Sequence, residues 1–431
     1  MKKHLRSVLL TVMLMAAVSA GAQKYAGGDI SLLPSYEANG AKYYDNNGAA
    51  VSDVAAWLHD QGWNAVRLRL FVDPENASAD ARGQGVRQSL DYIRPLAKRI
   101  KNLGMAWVLD LHYSDTWADP SNQWTPKRWQ GLADNVLADS IYAYTAGVLQ
   151  TLKADGCAPD MIQTGNEISY GMDWGTSSSD AKYCYPSSSK ANWDRFALLL
   201  GKAVQACRDV CPQAKVIVHT ERVSVTQQND NRQYAALTGF YDKMKSYGID
   251  YDVIGLSYYP YFHGAMYELE GAIERLGSYG KDIMIMETGY PAQWAVGGTT
   301  YDYTRTFPYT EDGQKAYTDS LVNMLNKHSN VKGLFWWFPE ANEFGLDWNT
   351  KRVTDQWYNA TLFNNQNGRA FKAVGSLKNF LQTSTGIKAV GAGAATSAGG
   401  AAWYTLSGRK MKLKPVEKGI YVNGKKKVAV E

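Results

Sequence analysis

A single (β/α)8 TIM barrel with a short C-terminal β-type tail, an α/β fold, is what this sequence predicts, and three observations predict it. Eight short apolar runs recur in order along the chain. Helix-length amphipathic segments separate them. No glycine-rich phosphate loop of the kind that opens a doubly wound sheet is present, since neither GxGxxG nor GxxxxGK[ST] occurs. Strands alternating with helices dictate a parallel sheet with right-handed crossovers. Eight such units within a chain of 431 residues is the count of a closed barrel.

The strand-like runs are GGDISLLP (27–34), NAVRLRLF (64–71), AWVLDLHYS (106–114), MIQTGNEI (161–168), KVIVHTER (215–222), VIGLSYYP (253–260), IMIMETGY (283–290) and GLFWWFPE (333–340). Between them, Val86 to Leu103, Asp134 to Leu152, Trp193 to Arg208, Ala235 to Tyr247 and Asp312 to Lys327 carry apolar residues at helical spacing with charges between. The barrel spans 23–381. Residues 382–402 are rich in Ser, Thr, Gly and Ala and read as a linker. Residues 403–431 form a basic tail with two alternating runs and turn signals at Ser407-Gly408 and Asn423-Gly424, too short for a robust core of its own.

The first 22 residues stand apart from this fold. Lys2, Lys3 and Arg6 precede an apolar stretch from Val8 to Val18, and Ala20-Gly21-Ala22 offers a small-residue cleavage site. This is a secretory signal, too short for a membrane span, and no later run replaces it. An exported protein is expected, in the periplasm, at the cell surface or outside the cell. The formal charge of +5 comes from the ends, because the signal removes three cations and the tail carries eight Lys/Arg against Glu417 and Glu431. The body is mildly acidic, which gives no footprint for nucleic acid and fits a neutral polymer. Cys157, Cys184, Cys207 and Cys211 are too few for a disulfide framework. Cys207 and Cys211 lie one helical turn apart, so a strained local bridge and buried thiols both remain open.

Two glutamates carry the chemistry. Glu167 in MIQTGNEIS and Glu287 in IMIMETGYP each close an apolar run. Carboxyls brought from two strand ends to one cleft are what glycosidic cleavage requires, one protonating the leaving oxygen while the other attacks or stabilises the sugar cation. Asn166 beside the acid supplies an amide for a sugar hydroxyl. In a TIM barrel the carboxyl ends of the strands build the active site. Arg67, Arg69, His112, Tyr258, Tyr259, Trp336 and Trp337 occupy those ends as well. Arg67 would pair with Glu287 and keep it ionised, and Tyr259 would donate a hydrogen bond to the same carboxylate. His112 would contact the sugar or Asn166. Glu167 must be protonated while Glu287 is ionised, and a neighbouring negative charge with partial burial supplies that difference.

Fourteen tryptophans and 28 tyrosines are a heavy aromatic load, suited to the apolar faces of sugars. Trp117, Trp124, Trp174, Trp294 and Trp337 fall where the rim loops and the last strand are expected. Trp337 is the strongest single candidate, as the floor beneath the sugar whose bond is cut. Trp57, Trp63 and Trp107 read as core. The six histidines form no HxH or HExxH pattern, so no catalytic metal site is expected, and GLSYYP is not a GxSxG elbow.

With these residues in view, the chain from about Gly27 to Phe380 resembles glycoside hydrolase family 53, the endo-β-1,4-galactanases. The segments GGDISLLPSYEANG, NAVRLRLF, LDLHYSDTWADPSNQWTP, IQTGNEIS, IGLSYYPYFHG, METGYP and GLFWWFP carry the resemblance, HYSDTWADP most diagnostically. It implies Glu167 as acid/base, Glu287 as nucleophile, retention of anomeric configuration and carboxyls about 5 to 5.5 Å apart. It implies a neutral plant galactan polysaccharide as substrate, of the kind found in pectic side chains, no required cofactor, and a monomer. Strand eight departs from the family's aromatic-Trp-Glu-Pro run, with Phe338 in place of the acid. Some bacterial members hold a structural calcium between the loops after strands seven and eight, where Asp302, Glu311, Asp347 and Asp355 offer oxygens without a legible ligand pattern. The tail segments LSGRK and KGIYVNGKK resemble C-terminal sorting segments of exported Bacteroidetes proteins, and a basic solvated tail is the other reading. The rival functions are a same-clan endo-glycanase cutting β-mannan or β-glucan, and a glycan-binding protein without turnover.

Overall fold

A computed structural model describes residues 23–184, 189–224, 234–347, 349–355 and 360–382, together with 403–405, 419–423 and 426–430. The signal segment and nearly all of the expected linker lie outside the described residues. Eight parallel strands close a barrel: β1 (Tyr25–Asp29), β2 (Ala65–Leu70), β3 (Ala106–Leu111), β4 (Met161–Thr164), β5 (Lys215–Thr220), β6 (Val253–Tyr258), β7 (Asp282–Thr288) and β8 (Val331–Trp337). Each strand pairs with its neighbours in sequence, and β8 pairs with β1 to close the ring. All eight expected strands are present. The sequence runs overshoot their carboxyl ends because apolar and aromatic residues continue into the rim loops.

The helices between them are α1 (Val54–Asp60), α2 (Leu90–Asn102), α3 (Asp134–Ala154), α4 (Lys190–Val210), α5 (Ala235–Ser246), α6 (Met266–Leu276) and α7 (Glu311–Leu325). Helix α2 begins later than its apolar spacing suggests because Ser89 caps it, its side chain accepting from the Tyr92 N–H. It buries Ile93, Leu96, Ala97 and Ile100 at helical spacing against the barrel. After β8, a 3-10 segment, Lys372–Leu381, packs beside α7 and closes the fold.

The barrel interior has two levels. The lower one is apolar, filled by Ala65, Val108, Met161, Ile217, Val253, Met284, Met286 and Phe335. Gly255 and Gly333 face this level. A Cβ on Gly333 would lie 2.7 Å from Met284 Cγ, so the missing side chain makes room for methionine. The upper level is polar and holds the site. Outside the barrel, one large core joins the outward faces of the strands to the helices, and Trp63 and Trp107 sit in it as expected. All four cysteines are buried thiols. The C-terminal residues 384–431 form a separate unit. In it Gly419–Asn423 and Lys426–Val430 make an antiparallel hairpin, with Trp403–Thr405 added along its other edge.

Candidate active site

Alternation along the strands turns Asp29, Arg67, Arg69, Asp110 and Gln163 into the upper level, in register around the barrel. Arg67 is fully buried at its centre. Its guanidinium stands 3.1 Å from Asp29, 2.8 Å from Asp110 and 3.0 Å from Glu287 Oε1. It also donates to Asn166 Oδ1 at 2.7 Å and to Gln163 Oε1 at 3.3 Å. Buried charges persist only when paired and hydrogen-bonded in this way. Burial alone would raise Asp110, but Arg67 and His112 outweigh it and hold the carboxyl below its ordinary value.

Glu287, near the end of β7, is 5 % exposed. Besides the ion pair with Arg67, its Oε2 accepts the Tyr259 hydroxyl at 2.8 Å. Burial pushes Glu287 up to about 7 while Arg67 and Tyr259 pull it down. Glu167 has different company. Beyond β4 the chain kinks through Gly165, at φ 96°, and Glu167 itself has a left-handed φ of 47°. A Cβ on Gly165 would lie 2.6 Å from Ile168 Cγ2, so this turn requires glycine. A non-glycine residue in that region is strained, and such strain clusters at functional sites. Burial raises Glu167 well above the ordinary carboxyl range, Glu287 and Glu221 raise it further, and Ser257 opposes them. Both carboxyls are thus raised, but only Glu287 has a cation and a phenol opposing the rise.

Asn166 lies between them and lines the same cleft. Its Oδ1 receives Arg67, and its amide nitrogen donates to the Ala118 carbonyl at 2.8 Å, which leaves the second amide hydrogen for a ligand. His219 spans Asn166 at 3.1 Å and Ser257 at 2.9 Å, and burial with Arg67 nearby keeps its imidazole neutral.

The cleft has a volume of about 610 Å³ and is lined by Glu167 and Glu287 with Trp117, Trp337, Tyr259 and Tyr170 among others. Trp117 and Trp337 meet at an angle of 65°, with ring centres 6.0 Å apart. The Arg69 guanidinium lies 4.9 Å from one ring and 4.8 Å from the other, which fixes the corner from beneath.

Several expected positions fall elsewhere. His112 is 2 % exposed and stands behind the wall: it accepts the Ala118 N–H at 3.1 Å and faces Asp110 at 2.9 Å. Its link to Asn166 runs through Ala118 rather than by contact. Trp174 is 1 % exposed and is no platform. Its indole N–H donates to the Tyr170 carbonyl, and its ring supports half-buried Trp124 at 5.4 Å. Trp294 is exposed on the loop after β7, outside the residues that line the cleft. Tyr258 and Trp336 alternate outward, donating to the Gly264 and Ala360 carbonyls.

Glu311 pairs with Arg369, while Asp302 and Asp347 accept from their own turns. No cluster of three or more His, Cys, Asp or Glu side chains suited to a metal occurs among the described residues.

Sequence reasoning passed over Asp29, Asp110 and Gln163, although polar residues inside apolar strands were the signal. It also passed over Asp119, Glu221 and Arg222, which line the cleft.

A closed barrel with two glutamates and an aromatic corner at its carboxyl rim defines a barrel glycoside hydrolase. The particular family is equally plain. The family model "Glycosyl hydrolase family 53" matches residues 25–378, and the chain belongs to that family. The probable arabinogalactan endo-β-1,4-galactanase A of Neosartorya fischeri is 31% identical over 366 residues, covering 80% of this chain and 95% of that protein. The arabinogalactan endo-β-1,4-galactanase A of Emericella nidulans is 30% identical over 343 residues, covering 77% and 89%. Among solved structures, the Ignisphaera aggregans GH53 catalytic domain has a TM-score of 0.68 at 29% identity, covering 84% of this chain and 97% of that one. A structure from work on two fungal β-1,4-galactanases has a TM-score of 0.66 at 26% identity, covering 83% and 99%.

Proposed function

We propose that this chain is an exported, retaining endo-β-1,4-galactanase that cuts neutral galactan chains of plant cell walls. The observation that carries the mechanism is the unequal environment of the two rim glutamates. Glu287, held by Arg67 and Tyr259, is the nucleophile. Glu167, half-buried and facing other carboxylates, is the acid/base.

In the first step a Glu287 oxygen forms a bond to the anomeric carbon while the glycosidic oxygen leaves with the proton of Glu167. The sugar is then esterified to Glu287, whose negative charge is gone. The repulsion from Glu287 is then gone, and Glu167 takes a proton from the water that attacks the same carbon, breaking the ester bond and releasing Glu287 as a carboxylate. Trp337 and Trp117 offer apolar faces to the sugar rings, and the second amide hydrogen of Asn166 is placed for a hydroxyl. The chemistry uses no cofactor, and any structural calcium stays outside it. No helix among the described residues is long and apolar enough to cross a membrane, and we place the enzyme outside the cytoplasm on the strength of its N-terminal segment.

Product analysis on linear β-1,4-galactan, beside β-mannan and β-glucan, tests the substrate. Short galacto-oligosaccharides from galactan alone are expected. Cleavage of mannan or glucan instead would keep the mechanism and discard the substrate.

A further inference from the structure

The chain beyond β5 enters the cleft as two charged residues, Glu221 and Arg222, that the chemistry above does not use. Both are more than nine-tenths buried, at 6% and 8% exposure. Burying a carboxylate and a guanidinium is unfavourable unless their contacts are specific. Among the described residues, contacts of both reach one short element, the 3-10 turn Ile168–Tyr170 that follows Glu167. Ser169 Oγ lies 2.7 and 2.9 Å from the two oxygens of Glu221, so its single proton is shared between them. The Arg222 guanidinium carbon stands 4.3 Å from the centre of the Tyr170 ring. Arg222 Nε is 3.0 Å from Glu221 Oε1. Adjacent residues after β5 thus grip adjacent residues of the turn, and an ion pair ties the two grips together. The residue immediately before the turn is Glu167, whose left-handed backbone persists only if its surroundings over-determine it.

We propose that Glu221 and Arg222 are positioning residues that clamp the Ile168–Tyr170 turn and so hold Glu167 in the orientation that delivers its proton to the leaving sugar. The proposal rests on Glu167 being the acid/base. Glu221 has a second, electrostatic effect. The groups facing Glu167 are Glu287 from β7, Asp119 from the loop after β3, Ser257 and Tyr259 from β6 and the segment after it, and neutral His219 with Glu221 from β5 and beyond. Arg222 offsets part of the Glu221 charge. Removing that charge lowers the Glu167 pKa and moves the alkaline limb of activity to lower pH.

The test compares wild type, Ser169→Ala, Glu221→Gln, Arg222→Met, Arg222→Lys and Glu167→Ala on galactan and on a dinitrophenyl β-galactobioside. Dinitrophenolate departs without a proton, and kcat/KM reports the steps through bond cleavage. For Ser169→Ala and Glu221→Gln, kcat/KM on galactan is expected to fall about tenfold to a hundredfold, and on the aryl substrate less than about threefold. The alkaline limb moves down in Glu221→Gln and stays in Ser169→Ala. Arg222→Lys, which keeps the charge and loses the planar face on Tyr170, falls between wild type and Arg222→Met. Equal losses on both substrates, or no loss on galactan, in a Ser169→Ala protein with wild-type unfolding temperature would overturn the clamp. Equal loss on both substrates in Glu167→Ala would instead overturn the acid/base assignment on which the clamp depends.

Discussion

The carboxyl ends of β4 and β7 each deliver one glutamate to the same cleft, and they do so by opposite means. At β7 Glu287 lies within the strand, just past a register shift against β6 and β8 that follows Ile285, and a buried cation and a phenol hold its carboxylate. At β4 the strand has already ended, the backbone is left-handed at Glu167, and the strongest neighbouring charges are carboxylates. One residue type thus meets two different surroundings, and the proposed division of labour rests on that difference. A nucleophile gains from fixed charge pairing, whereas an acid/base gains from burial, like charge and a backbone held where it would not otherwise rest.

Breaking either side of this contrast has graded consequences. The largest is expected for Glu287→Ala, which under the proposed mechanism removes the attacking atom and lowers kcat on galactan by about 10⁴-fold or more. Glu167→Ala follows, at about 10² to 10⁴-fold on galactan, with azide restoring turnover of the aryl substrate because a small anion needs no base. Arg67→Met leaves Asp29, Asp110 and Glu287 without their shared cation. Losing a cation raises the Glu287 pKa, so the acid limb of kcat/KM moves to higher pH, and thermal unfolding registers a loss of about 3 to 5 kcal/mol. Tyr259→Phe shifts the same limb in the same direction by less, with a rate loss of about tenfold for one hydrogen bond to a charged group. Trp337→Ala has the smallest effect on the chemical step. Its KM for galactan rises about tenfold, the equivalent of about 1.4 kcal/mol of lost stacking.

The contrast also explains what could be read from the residues alone. Strand β7 was legible in part: Arg67 and Tyr259 stand against Glu287 as their chemistry suggests, but alternation from Met284 and Met286 would turn Glu287 outward, and the register shift after Ile285 returns it to the cleft. The turn after β4 was not. Nothing in TGNEIS announces a left-handed glutamate, and the grip of Glu221 on Ser169 joins residues 52 apart in the chain. His112 and Trp174 misled for a related reason: sequence fixes their position near a strand end, but not that Ala118 and Tyr170 would take up their polar atoms and turn them inward. Boundaries slipped where a cap decided them, as at Ser89. The barrel itself was readable because its eight apolar runs and intervening amphipathic helices obey one periodic rule each.

The central claim is the division of labour between the two glutamates, and covalent trapping tests it most directly. The enzyme is incubated with a fluorinated aryl β-galactobioside, whose ring fluorine slows breakdown of the ester, and the labelled peptide is located by mass spectrometry. A stoichiometric sugar adduct on Glu287, and none on Glu167, is the predicted result. An adduct on Glu167, or turnover with no adduct on either glutamate, would contradict the account.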